Sequence, residues 1–404
     1  MGYDCSSRRA RQFENNKMLS RRRFLQQASL AGMAATAFSL VDHAWGETTL
    51  TFPGKEGLIV RSARFVDLET PVEYFNTWLT PAPHFFVRNH MHEPSTFDPS
   101  DWKLAIGGEV NKPYTLTLAE LSKFESHSVV NTLECAGNGR AFQNPKVPGV
   151  QWEKGALSTG RFTGARLRDV LTRAGVKPSG KHVMFRGLDE VPGKVPPFIR
   201  SIPFEKAMDP DTLIATQLNG SPLPKHNGFP ARALVPGWIG AASCKWITEI
   251  KVLDKEFEGN FMNPGYRLPN QPVKPGEVVK PEDTHPVTEL NVKSLIVSPA
   301  DGSTSRSGAL TLQGVAWAGE ADIERVEIST DGGATWQRAQ LSKENSRYAW
   351  RMWSLPWKVP KAGDYTISSR ATDSKGRVQP TTPVWNPSGY LNNAIDRVKI
   401  HVQG

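Results

Sequence analysis

The sequence predicts an α+β domain followed by an immunoglobulin-like β-sandwich, and three observations carry that reading. Up to about residue 262, short β-branched and apolar runs mix with short helical patterns and never settle into a βαβ rhythm, which argues against a doubly wound sheet. Asn263–Pro286 then holds six prolines and no apolar periodicity, the composition of an extended connector. From Thr288 to Gln403, strand-like runs recur at short spacing with Asp-Gly turns between them. The 404 residues are enough for two domains with cores of their own. The expected boundaries are a leader over 1–46, a first domain over 47–262, a connector over 263–287 and the sandwich over 288–404.

Ser20–Gln26 reads S-R-R-R-F-L-Q, and the modestly apolar run Ala28–Val41 follows, ending in the small-residue stretch Ala44-Trp45-Gly46. The run is too short to anchor in a bilayer, and the pattern resembles a twin-arginine export signal. Periplasmic localisation is therefore expected, with a mature chain starting near Glu47 and no membrane span. The net charge is +9, but beyond residue 46 the chain holds 42 basic against 37 acidic residues. That mild excess is no nucleic-acid signature; it suits an anionic substrate or cofactor. Of three cysteines, Cys5 lies in the leader, leaving Cys135 and Cys244.

In chain order, Thr70–Thr80 reads as a short helix with Pro71 at its first turn. In Pro83–His90, an extended segment puts Arg88 and His90 on one face, where a guanidinium beside an imidazole suits an oxyanion. Trp102–Val110 and Tyr114–Leu121 read as a strand leading into a short helix. Arg166–Ala174 is a helix with Leu167, Val170 and Leu171 inward and Gly175 as its stop. His182–Arg186, Phe198–Ile202, Thr212–Leu218 and Ile247–Leu253 read as strands, and Phe204–Met208 as a helical turn. In the sandwich, strands are expected at Val292–Val297, Leu310–Trp317, Ile323–Ser329, Tyr348–Trp353, Tyr365–Ala371 and Arg397–Val402. Six of the twelve tryptophans lie there. The sandwich offers no evident chemistry of its own, and its aromatics suit a dimerisation surface.

Asn131–Arg140, N-T-L-E-C-A-G-N-G-R, organises the first domain. A β-branched run delivers Cys135 to a turn bared by Gly137 and Gly139, with Arg140 closing it. A thiol beside a fixed cation has the conditions for a thiolate, a soft ligand suited to a transition metal. Taken alone, the stretch slightly favours a buried structural cysteine over a metal ligand.

Several segments together resemble the sulfite oxidase family of molybdopterin enzymes, nearest the bacterial periplasmic sulfite dehydrogenases and sulfane dehydrogenases. They are F-F-V-R-N-H at Phe85–His90, E-C-A-G-N-G-R at Glu134–Arg140, G-L-D at Gly187–Asp189 and N-G-F-P-A-R at Asn227–Arg232. V-P-G-W at Val235–Trp238, C-K-W at Cys244–Trp246, D-K-E-F-E-G at Asp254–Gly259 and W-N-P-S-G-Y at Trp385–Tyr390 follow in the family's order. The resemblance implies a sulfite-oxidase-type molybdopterin-binding domain followed by a dimerisation domain. It implies Cys135 as the thiolate ligand to molybdenum, and Arg88, His90 and Arg140 at the substrate face. It implies that Asp189, Asn227, Arg232 and Lys245 hold the pterin and its phosphate, with backbone from Phe86, Val87, Arg88, Asn89 and His90 and from Ser243 and Cys244.

The activity implied is oxidation of sulfite to sulfate by oxygen-atom transfer, with electrons passed to a cytochrome c or a haem-bearing subunit. The chain itself has no C-x-x-C-H haem motif. A homodimer or a heteromer is implied. One departure bears on the substrate. The family's A-Y-x-x-N-G segment reads A-T-Q-L-N-G here, so Thr216 replaces an active-site tyrosine. The alternative is the same cofactor acting on another sulfur substrate, as in a sulfane-carrier dehydrogenase, and Thr216→Tyr is expected to raise sulfite turnover. A non-catalytic binding module is the reading from another class.

Overall fold

The computed structural model describes residues 51–96 and 98–404. The leader pattern lies outside the described residues. None of the described helices is long and apolar enough to cross a membrane.

Two five-stranded sheets build the first domain. In one, Ser126–Glu134 pairs with Leu157–Arg166, which pairs with Leu213–Leu218; Ser221–Pro222 and Arg232–Leu234 flank the last, and every pairing is antiparallel. In the other the order is Tyr114–Thr117, Lys103–Gly108, Ile247–Leu253, His182–Gly187, Ile199–Pro203. There only Lys103–Gly108 and Ile247–Leu253 run parallel.

The Leu157–Arg166 strand was not expected. Its glycines obscure the pattern, but they let neighbouring backbone come close: a Cβ on Gly164 would lie 2.0 Å from the Ile214 carbonyl oxygen. Helix Leu167–Ala174 forms as read, burying Leu167, Val170, Leu171 and Ala174 at i, i+3, i+4 and i+7. Gly175 stops it in the left-handed region, at φ +66°. Tyr114–Thr117 is a strand, and only Leu118–Leu121 is helical, started by a reciprocal cap between Thr117 and Glu120. The helix expected over Thr70–Thr80 reduces to one 3-10 turn at Val72–Phe75. Beyond it the Thr77 hydroxyl donates to the Leu79 carbonyl, competing with helical pairing.

The C-terminal domain is a sandwich of a four-stranded and a five-stranded sheet. The first holds Lys293–Ser298, Ala309–Trp317, Arg351–Lys358 and Gln340–Leu341; the second is centred on Asp396–Gln403, Gly363–Asp373 and Ile323–Ser329. The expected strand at Tyr348–Trp353 starts only at Arg351. Tyr348–Trp350 instead leaves the sandwich and bridges to Asn131 beside the Cys135 strand. There the Thr132 amide donates to the Tyr348 carbonyl at 2.8 Å, and Trp350 packs edge-on against Phe75. Leu295, Val315, Trp317 and Trp350 belong to the same buried cluster as the first domain's Leu167, Phe185 and Ile250, so the two domains share one core.

The connector is more than a spacer. Arg267–Pro269 and Thr284–Pro286 close it into a two-stranded antiparallel ribbon. Two polar knots fasten the domains. The buried Glu134 carboxylate accepts from Asn138 Nδ2 at 2.9 Å, from Lys293 Nζ at 3.0 Å and from Trp317 Nε1 at 2.8 Å. In the other, Glu320 of the sandwich accepts from Lys206 and Trp238 of the first domain, while its amide donates to Glu289. Burial alone would push the Glu289 carboxyl up. Hydrogen bonds from Arg377, the Glu320 amide and Lys375 outweigh it and hold the pKa at about 2.

Removing the first carboxylate leaves Lys293 and Trp317 without their partner. Glu134→Ala is expected to cost roughly 3 kcal/mol, read as a lower urea midpoint. The Glu289 stabilisation is fully present above the ordinary pKa of 4.5 and is lost as the pH falls through about 2. Glu289→Gln is therefore expected to lower the melting temperature at neutral pH, and the gap to the unsubstituted protein is expected to close in a melting series taken down to that acid limit.

Candidate active site

The strand Ser126–Glu134 is buried from Val129 onward and delivers Cys135, 8% exposed, to the turn that follows. The Cys135 amide donates to Ala156 and its carbonyl accepts from Asn138, so the residue is fixed on both sides at 2.9 Å. Gly137 is required by close approach: a Cβ there would lie 2.6 Å from the Arg140 guanidinium. Arg140 is held by the Ser388 and Val150 carbonyls, each at 2.9 Å, and lies over the Tyr390 ring. The sandwich thus closes the site. Besides Ser388, Asn392 donates to Gly139 and the Leu391 amide to Ala136.

Burial pushes the Cys135 thiol up, and Arg88 and Arg140 only partly offset it. The fixed cations therefore do not by themselves make a thiolate, contrary to what the sequence suggests. Coordination to a metal would complete the ionisation.

Two cavities meet at Arg88, His90, Cys135 and Tyr266. The first brings together eleven of the twelve residues expected to hold a cofactor, gathered from five separate stretches. The exception is Val87, which is buried and pairs by backbone with Leu68 instead. Arg88 is tied to the buried Asp67 at 3.1 Å. Arg232 donates to the carbonyls of Asn227, Ser243 and Ala233, at 3.0, 2.7 and 3.4 Å, and burial pulls its pKa down to about 10. Lys245 donates to the His226 carbonyl and to Asn89 Oδ1. Burial pulls Lys245 down, whereas it pushes the neighbouring Asp189 carboxyl up. Asn227 donates through Nδ2 to the Phe86 carbonyl, but its Oδ1 is buried without a partner.

An orphaned acceptor, a carboxyl, and cations lacking a full complement of counter-charges suit a ligand with hydrogen-bonding ring edges and an anionic tail. Cys135 at the cavity's end adds one soft donor. Among the described residues, no group of three or more His, Cys, Asp or Glu could hold a metal unaided. These residues fit a metal-bearing pterin that brings most of its own ligands.

The second cavity adds Arg140, Val150, Phe261 and Tyr390. His90 Nε2 is hydrogen-bonded to the Tyr266 hydroxyl. The His90 ring stacks on Phe198 at 4.0 Å, and Tyr266 stacks on Tyr390 at 5.2 Å. Burial, together with Arg88, Arg200 and Lys245, holds His90 well below its ordinary pKa, so it is neutral. Burial likewise pushes the Tyr266 phenol up, keeping it a proton-bearing donor. Tyr266 sits in the left-handed region, φ +57°, a conformation costing about 1–3 kcal/mol in a non-glycine residue and concentrated at functional sites.

Two corrections follow. Thr216 is not at this site. It shares a strand face with Ile214 and lines a different cavity with Leu118, Phe124 and Phe229, while Ala215 points the other way, into the Cys135 cluster. The sandwich is not chemically silent either, since it supplies Tyr390 and the Ser388 carbonyl. The sequence reading gave neither tyrosine a role, although Tyr390 closes the W-N-P-S-G-Y motif. Tyr266 sits in a stretch with no periodicity; its one signal was an aromatic residue among prolines.

Two family descriptions match the sequence: Oxidoreductase molybdopterin binding domain over residues 90–261, and Mo-co oxidoreductase dimerisation domain over residues 284–403. The chain is similar to "Sulfite oxidase, mitochondrial" of Rattus norvegicus, 38% identical over 361 residues, 85% of this chain and 66% of that one. It is 37% identical to "Sulfite oxidase" of Gallus gallus over 85% of this chain and 78% of that one. "Nitrate reductase [NAD(P)H]" of Hordeum vulgare is 35% identical over 80% of this chain and 39% of that one. Among solved structures, the sulfane dehydrogenase SoxCD from Paracoccus pantotrophus superposes with a TM-score of 0.71 at 29% identity, covering 88% of this chain and 86% of that one. The chain spans just under two thirds of the length of the mitochondrial relatives it matches. The molybdenum–molybdopterin cofactor of this family is a group that the first cavity's residues fit. By sequence, fold and cofactor cavity, the chain belongs to the sulfite oxidase family of molybdopterin oxidoreductases.

Proposed function

We propose that the protein oxidises sulfite to sulfate in the periplasm, after twin-arginine export, and passes the electrons to a cytochrome c or a haem-bearing subunit. The observation that carries the substrate side is the second cavity, where Arg88, Arg140 and the His90–Tyr266 pair surround Cys135. The overall reaction joins sulfite and water to give sulfate, two protons and two electrons. When bound, the cofactor supplies the two-electron change and the oxygen-atom transfer.

The residues do the rest. Arg140 has no carboxylate partner among the described residues, so an oxyanion is the counter-charge its guanidinium lacks. Arg88 is already paired with Asp67, which holds it in place at the junction of the two cavities. Tyr266 presents a proton-bearing hydroxyl, and the neutral His90 orients it through Nε2. Phe198, Phe261 and Tyr390 pack around this pair and restrict water, which strengthens the field of the arginines. A phenol donor beside Cys135 removes the reason Thr216 gave for doubting sulfite. The fold shared with SoxCD keeps a sulfane-carrier substrate as the second reading. Assembly as a homodimer through the sandwich, or as a heteromer with a cytochrome, belongs to the same proposal.

Sulfite-dependent reduction of cytochrome c by the molybdenum-loaded protein tests the proposal. Turnover supports it; no turnover in a loaded sample discards sulfite and leaves sulfane carriers as the substrates to assay. Cys135→Ser is expected to abolish turnover without unfolding the chain. Tyr266→Phe is expected to lower kcat by about 10²-fold, the usual effect of removing one positioned donor, at unchanged molybdenum content. Thr216→Tyr, by contrast, is expected to leave both kcat and KM for sulfite as they were.

A further inference from the structure

Lys55 is 2% exposed, yet it lies in one of the most open stretches of the chain. Its neighbours Pro53, Gly54, Glu56 and Gly57 are exposed. Gly54 and Gly57 bracket it in the left-handed region, at φ +75° and +82°, so the backbone turns tightly on both sides and drives one side chain inward. The ammonium donates to the Ala82 and Phe85 carbonyls, both at 2.7 Å. Those carbonyls start the segment that carries Phe86, Arg88, Asn89 and His90 to the cofactor cavity. Two residues are set at the loop's ends: Phe52 lies edge-on to His226, whose carbonyl receives Lys245, and Leu58 is half-buried.

The charges at this end of the cavity do not balance. Lys55 and Lys245 are both buried and within electrostatic reach of each other. The carboxylate they share, Glu93, is already paired with His226 at 2.8 Å. Burial first, and then repulsion from Lys245, pull the Lys55 pKa down to about 7. A buried ammonium has three donors, and the two carbonyls account for two of them. An anion in the cavity beside Lys245 would offset the repulsion that Lys55 meets and supply counter-charge at this end.

We propose that Lys55 is a cofactor-retaining residue: the Phe52–Leu58 loop packs behind the Phe85–His90 segment and His226, which border the cofactor cavity, and Lys55 latches it there by tying it to the Ala82 and Phe85 carbonyls. The latched loop thereby braces the cavity wall that carries Phe86, Arg88, Asn89 and His90, and releasing it loosens the hold of that wall on the cofactor. This rests on the cavity's being the molybdopterin site. If the unsubstituted protein carries no pterin, that reading fails first and on its own.

The test uses the loaded full chain. Pterin release is followed by the fluorescence of the freed, oxidised pterin after dilution into mild urea. Lys55→Met is expected to release pterin at least about tenfold faster than the unsubstituted protein, the scale of one lost charge-assisted hydrogen bond. Lys55→Arg is expected to recover most of the retention. Hydrogen exchange on the unsubstituted protein provides a second readout that needs no variant. Amides of 52–58 are expected to be protected in the loaded form and to exchange faster once the cofactor is removed. Equal release from Lys55→Met and the unsubstituted protein would overturn the proposal, and so would equal protection of 52–58 with and without cofactor.

Discussion

Everything at the site depends on the buried carboxylate of Glu134, one residue ahead of Cys135. It accepts from Asn138 in its own turn and from Lys293 and Trp317 in the sandwich. A carboxylate buried this deeply is costly unless its oxygens are filled, and here both are. The thiol's position is therefore set jointly by two domains that share one core. The same logic runs along the rest of the turn, where Leu391 meets Ala136, Asn392 meets Gly139 and Ser388 meets Arg140. The sandwich acts as the back wall of the site.

The second constraint is electrostatic. The two cavities gather Arg88, Arg140, Arg232 and Lys245, and among the described residues only Arg88 of these has a close ion-pair partner of its own. Carbonyl oxygens satisfy the donors of the others but leave their charge unneutralised. Such burial is expensive without an anion, which is why it pulls the lysine and Arg232 down. A molybdopterin cofactor brings negative charge of the kind these cations lack. The same burial pushes the Cys135 thiol up, so coordination to a metal would be what favours its ionised form.

Much of this was legible in the sequence. The Cys135 turn and the strand entering it, the helix stopped by Gly175, the sandwich strands and the motif-borne cavity residues all rest on local signals. The unread parts are those fixed by distance. The Leu157–Arg166 strand hides behind glycines whose only reason is the approach of Ile214 and Leu218. Tyr266 has no periodic context, and its place beside His90 exists only once the connector folds back as a ribbon. Thr216 was placed at the site by motif position alone; strand alternation turns it to the opposite face. Lys55 carried no signal at all, because a lysine between exposed glycines reads as surface.

The most direct measurement is X-ray absorption at the molybdenum edge, comparing the intact protein with Cys135→Ser at matched pterin content. Loss of one sulfur neighbour from the metal in the variant is the expected result. Identical sulfur coordination in both would contradict the assignment of Cys135 as the protein's ligand to molybdenum, and with it the organisation of the site around that turn.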